Sequence, residues 1–196
     1  SGSKAAEATE ATEATEVIET EIKERINKAY DNNNVAHCLC FLALSVVVPG
    51  LGSIDEQKRD NKLSALSDEI TKWLRLLNFD VNEDGVIDRH DSLDIIFDYV
   101  MPHFEEIDSD AIIIEIYRAC ALLMSIKVWP EDASLDLIAG ISKVAIADGH
   151  ITQSEIKMIT TIATGLGVVE NEGIQEFIKE MKEIVRERRK RGCNNI

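Results

Sequence analysis

The chain of 196 residues carries 36 acidic against 21 basic side chains, a formal net charge of −15 at pH 7, and is 45% hydrophobic. That length suits one medium domain or two small ones with a sizeable core, and that apolar content excludes a chain disordered throughout. The negative field excludes a general nucleic-acid binder, because attraction to phosphate needs the opposite sign, and it suits a protein that recruits cations. Only three prolines, with Ala, Ile, Leu and Glu abundant, favour an all-α fold.

Residues 4 to about 16 repeat Ala-Thr-Glu with a three-residue period. Such a stretch, acidic and without large apolar groups, is expected as an acidic disordered tail over 1–16. A single helical domain over 17–191 and a flexible C-terminus over 192–196 should follow. The opening Ser-Gly-Ser without Met reads as a remnant of expression, which leaves room for a removed leader. From Val17 the pattern changes: Ile18, Ile22, Ile26 and Tyr30 recur every four residues, one stripe of an amphipathic helix that Asp31-Asn32-Asn33-Asn34 ends. Val35 to Val48 is the most apolar run. Its 14 residues fall short of the ~20 that span a bilayer, so a buried core helix is expected.

Pro49-Gly50-Leu51-Gly52 stops that run, and Ser53 with Glu56 three residues on has the pattern of a capping box. The next helix carries Leu63, Leu66, Ile70, Trp73, Leu74 and Leu77 at helical spacing and leads into an acidic stretch, Asp80 to Asp91. Beyond it, a helix with Leu93, Ile96, Phe97 and Val100 inward should end at Pro102. A strongly apolar helix then runs from Ala111 to about Lys127, capped by Asp108 or Ser109. Its Ile112-Ile113-Ile114 is β-branched, but the segment is too long for a strand. Trp129-Pro130 breaks the chain, and Glu131 to Ala147 is again amphipathic, with Leu135, Ile138, Ile141, Val144 and Ala145 inward. The last helix, from Asn171, turns Ile174, Phe177, Ile178, Met181 and Ile184 inward and becomes basic over 186–191. Those cations complement the helix dipole, and they also offer a peripheral contact to an anionic membrane or docking partner.

Cys38, Cys40, Cys120 and Cys193 show neither zinc-like CxxC pairing nor the density of a disulfide scaffold. Read as reduced thiols, they place the chain in the cytoplasm or another reducing compartment, an organelle interior included if a leader was removed. Asn194 and Asn195 are not the aliphatic pair of a prenylation box.

The acidic stretch is the most specific feature. In D-V-N-E-D-G-V-I-D-R-H-D, oxygen-bearing side chains fall at places one, three, five, nine and twelve: Asp80, Asn82, Asp84, Asp88 and Asp91. Gly85 holds the sixth place, where the backbone must turn with positive φ, and Val86 offers its carbonyl at the seventh. A hard cation wants six or seven oxygens, and alternate residues on a tight coil all point inward. The stretch resembles an EF-hand calcium loop, with Asp91 where that family closes with a bidentate Glu. One methylene shorter, Asp91 reaches an ion with one oxygen, so Mg²⁺ should compete better with Ca²⁺. The plain alternative is an acidic turn capping the next helix.

A second stretch, Asp148-Gly149-His150-Ile151 with Glu155, repeats Asp84-Gly85-Val86-Ile87 with Asp91. Val144 and Ile146 stand where the first two ligands would be, so this copy should bind no ion. Thr152 with Glu155 has the capping-box pattern. In paired EF-hands the eighth residues meet in a short bridge, and Ile87 and Ile151 are expected to lie side by side. The pattern A-x-A-D-G-x-I-x-x-x-E, leading to a helix that ends in Gly-Leu-Gly, also resembles the tellurite-resistance TerB-like family over about 35–181. That resemblance implies a compact helical bundle of two related halves, with links to metal binding and to membrane-associated stress complexes.

No catalytic constellation is legible. His37, His90, His103 and His150 lie in different segments without zinc spacing, and no phosphate loop or nucleophile motif occurs. The expectation is a non-catalytic, all-α, compact multi-helix bundle that binds Ca²⁺, or Mg²⁺, through Asp80, Asn82, Asp84, the Val86 carbonyl, Asp88 and Asp91. It would serve as a sensor, regulator or scaffold with a protein partner. The rival expectation is a TerB-like interaction module whose loop is purely structural.

Overall fold

The computed structural model describes residues 32–125 and 131–193. The expected tail over 1–16, the amphipathic stripe Ile18–Tyr30, the Trp129-Pro130 break and residues 194–196 lie outside that range. Seven helices and no strand occur among the described residues. They are α1 (Asn32–Val47), α2 (Glu56–Leu76), α3 (Arg89–Asp94, Ile95–Val100 and Met101–Glu106), α4 (Ile112–Met124), α5 (Glu131–Ala145), α6 (Gln153–Gly165) and α7 (Glu172–Cys193). The all-α bundle is as the composition and periodicity led one to expect.

The core is built around α1. From Val35 to Val47 every residue but His37 is buried, and the helix packs against α2, α3, α4, α5 and α6. A helix apolar on all sides is stable only where other elements cover all sides. Together with the 3-10 turn Val48–Ser53, the apolar stretch runs over 34–52, longer than the 14-residue run alone and enough by length and composition to cross a membrane. Here its sides are taken by other helices. The remaining helices are amphipathic: Leu66, Ile70 and Leu74 of α2, Ile138 and Ile141 of α5, and Ile156, Ile159 and Ile162 of α6 are all buried. The Ile112–Ile114 triplet is helical, as its length favoured. Helices α4 and α6 meet closely at Gly165, where an added Cβ would stand 2.8 Å from Cys120 Sγ and 3.0 Å from Cys120 Cβ.

Several local expectations are corrected. Helix α2 is capped by Asp55, whose side chain accepts the Lys58 N–H, and Ser53 instead ends the 3-10 turn. Pro102 does not end α3. The helix widens into a π turn over Ile95–Val100, where the Met101 N–H reaches back five residues to the Ile96 carbonyl, and continues to Glu106. Widening the turn just ahead of Pro102 absorbs a residue that brings no N–H of its own. It also shifts the helical phase, so Phe97 is 58% exposed while Ile95, Ile96 and Val100 are buried. In α7 the inward stripe is Ile174, Ile178, Met181 and Val185, and Ile184 is exposed. That helix includes Gly192 and Cys193, the first two residues of the segment expected to be flexible.

The three cysteines whose surroundings are described, Cys38, Cys40 and Cys120, are buried free thiols. Burial pushes Cys38 up to about 11 and Cys120 up to about 12, which suppresses the reactive thiolate.

Candidate metal centre

Helix α2 delivers the chain to the loop through a Schellman turn. The Phe79 N–H bonds to the Leu74 carbonyl at 2.9 Å and the Asn78 N–H to Arg75 at 3.1 Å, with Asn78 left-handed at φ 50°. Asp80 therefore stands directly after the helix. On the far side Asp88 caps α3, its carboxylate accepting the His90 N–H at 2.9 Å, and Asp91 accepts the Asp88 N–H at 2.9 Å in a capping box. Arg75 of the last α2 turn donates to the Ile87 carbonyl at 3.1 Å, and the buried hydroxyls of Ser67 and Ser92 meet at 2.5 Å. Both ends of the loop are thus fastened to α2.

Inside, the side chains hold the coil by accepting backbone N–H groups. Asp80 Oδ2 takes Gly85 at 2.7 Å, Asn82 Oδ1 takes Asp84 at 3.2 Å, and Asp84 Oδ1 takes Val86 at 2.9 Å. Glu83 and Gly85 are left-handed, at φ 58° and 88°. At 85 that conformation is strained for any side chain, which is the physical reason for glycine there. Asp91 is wholly buried; its Oδ1 accepts Val81 at 2.8 Å and Asn82 at 3.2 Å, and its Oδ2 accepts Asp88. Burial alone would raise its pKa. The backbone N–H groups of Asp88, Asn82 and Val81 outweigh that and hold the carboxyl below the usual range.

One carboxylate oxygen from each of Asp80, Asp84 and Asp91 lies within 4.8 Å of the others. Asp80 Oδ1 is buried and has no hydrogen-bond partner. Asp88 is turned to its capping role, Asn82 holds the turn, and Val86 is exposed on the loop's outer face. The donor set is hard oxygen throughout, which fits Ca²⁺ or Mg²⁺ rather than a thiophilic metal. A cleft of about 360 Å³, lined by His37, Phe79, Asp80, Glu83 and Tyr99 among others, opens beside it.

The second stretch is arranged differently. Gly149 is left-handed at φ 71°, Asp148 Oδ1 accepts the His150 N–H at 3.0 Å, and Thr152 and Glu155 form the expected capping box. Between Asp148 and Glu155 sits Lys62 of α2, itself 1% exposed. Its Nζ is 2.8 Å from Glu155 Oε2 and 3.5 Å from Asp148 Oδ2. Sequence reasoning missed this cluster. The signal was present: Lys62 lies on the Leu66–Ile70–Leu74 stripe, where a lysine must be buried with a partner.

The short backbone bridge expected between Ile87 and Ile151 does not form, since neither residue is in a strand or bridge. Loop one is fastened at Arg75 and loop two at Lys62, thirteen residues apart on α2, or about 20 Å of helix rise. The carbonyl that such a bridge would use is taken in each case by an arginine, Arg75 at Ile87 and Arg188 at Ile151. Sequence spacing also hid a histidine pair. His37 Nε2 and His103 Nδ1 are 2.9 Å apart, and His103 stacks on Phe41.

No family model matches the chain, and neither a curated protein nor a solved structure shows significant similarity to it.

Proposed function

We propose that the protein is a non-catalytic binder of a hard divalent cation, Ca²⁺ or Mg²⁺, at the Asp80–Asp91 loop. The observation that carries this reading is the convergence of Asp80, Asp84 and Asp91, with an unpartnered buried oxygen on Asp80. Three carboxylates so close repel one another, and an ion relieves that repulsion while filling the vacant lone pairs. Asn82, the Val86 carbonyl and Asp88, the last directly or through water, complete the oxygen set. Because α2 and α3 both leave from the loop, ion binding fixes their mutual angle. A protein partner would read that angle, in a sensor or scaffold role. Calorimetric titration of chelated protein should give one ion per chain, with a Kd on the order of 10⁻⁵ to 10⁻³ M. Asp80→Ala/Asp84→Ala should abolish it. Retained binding in that variant would remove the loop from consideration.

One observation favours a second reading, a TerB-like interaction module with a structural loop. Asp80, Asn82, Asp84, Asp88 and Asp91 each already accept a local backbone N–H, so the coil closes without an ion. Under that reading neither ion shifts the unfolding midpoint of chelated protein beyond the effect of KCl at equal ionic strength.

A further inference from the structure

We propose that the second loop is also a cation site, one whose ion is the chain's own Lys62 ammonium, and that it accepts a divalent metal once that side chain is removed. The inference does not depend on whether the first loop binds an ion. Its basis is a buried constellation: Lys62 1% exposed, the Asp148 side chain 0%, Glu155 1%, with Nζ 2.8 Å from Glu155 Oε2 and 3.5 Å from Asp148 Oδ2. A lysine stem crossing the interior from α2 to end between two carboxylates of a glycine-turned loop is not surface pairing. Counted from the glycine, Asp148 and Glu155 hold the places of Asp84 and Asp91, two of the three residues that converge in the first loop.

Charge supports the reading. Two buried carboxylates face one ammonium, and Asp148 Oδ2 makes no hydrogen bond. The remaining negative charge is eased by the Thr152 N–H, 3.1 Å from Glu155 Oε1, by the N-terminal end of α6, and by the Arg188 guanidinium on the Ile151 carbonyl. A divalent ion would balance the two carboxylates fully. Mg²⁺ in particular is held by one or two carboxylates with several waters, and the space left by a lysine stem admits those waters. In the native chain the ammonium is tethered, so this loop is occupied at every ion concentration.

The test places Lys62→Ala in the Asp80→Ala/Asp84→Ala background, so that a failure of the first loop's reading is seen separately, in the unsubstituted chain. Calorimetry with Mg²⁺ and Ca²⁺ should show no binding in the background and one ion per chain once Lys62→Ala is added. Should the added substitution prevent folding in chelator, the same ions should restore helical circular dichroism and a cooperative melt. Adding Glu155→Gln should abolish the new binding. A folded Lys62→Ala variant that takes up no ion overturns the proposal. So does an unfolded one that neither ion rescues, and so does binding that survives Glu155→Gln.

Discussion

Asp91 shows how one methylene changes the task of a side chain. Its two oxygens accept three backbone N–H groups from within a wholly buried position, so the residue closes the loop by itself. Asp91→Asn replaces an acceptor by a donor facing N–H groups, and should destabilise the protein by about 1.5–3 kcal/mol. Because the folded-state pKa is depressed, the carboxylate's contribution is fully present above the ordinary value of 3.8 and is lost as pH falls through the lower folded value. Denaturation along an acid series should therefore be flatter for Asp91→Asn. Asp91→Glu should tighten Ca²⁺ relative to Mg²⁺, and an unchanged ratio in competitive titration would show that the twelfth residue is no ligand. The histidine pair has the opposite charge logic. Burial and the neighbouring His103 hold His37 below its ordinary 6.5, so the fold favours the neutral ring. A bond between two imidazoles needs one donor and one bare nitrogen, and protonating both removes the acceptor. Stability should be full above about pH 6.5 and decline below it, a slope that urea titrations of His37→Gln should largely lack.

At the scale of elements, the two loops sit at separate stations along α2 and should behave independently. Ile151 is 1% exposed, and Ile151→Ala should cost about 2–5 kcal/mol of unfolding free energy while leaving ion affinity at the first loop unchanged. A parallel loss of affinity would revive the coupling that their separation argues against. At the α4–α6 crossing, Gly165→Ala gains helix propensity of about 1 kcal/mol but drives a methyl into the Cys120 side chain. The clash should prevail, with a net loss of about 1–2 kcal/mol measured by denaturant, and Cys120→Ala should recover part of it. The helices themselves were legible because their apolar stripes repeat at 3.6 residues. What escaped notice is where the period breaks or the partner is remote. The π turn ahead of Pro102 rotated Phe97 outward, and nothing local announces an extra residue in a turn. The acidic loop at Asp80 could be found because its oxygen-bearing residues are written consecutively. Lys62 and Glu155 are 93 residues apart, and only the fold joins them.

For the molecule as a whole, ion binding and charge screening must be told apart, because a chain of net charge −15 is stabilised by any salt that weakens self-repulsion. A specific site adds about 2.7 kcal/mol when free ion stands a hundredfold above its Kd. The expected result is a rise in melting temperature with Ca²⁺ or Mg²⁺ well beyond that given by KCl of equal ionic strength, and absent from Asp80→Ala/Asp84→Ala. The central position of α1 carries a further consequence, for synthesis. This helix is among the first parts of the described chain to leave the ribosome, and its apolar surface faces outward in every direction. The partners that cover it include α4 and α6, so full enclosure waits until Gly165 has been made, 118 residues after Val47 (165 minus 47). At roughly 5–20 residues per second that interval is on the order of 6 to 24 s. Throughout it the nascent chain displays a segment long and apolar enough to cross a membrane. A chaperone that holds apolar segments would act on this surface, which later becomes the centre of the fold.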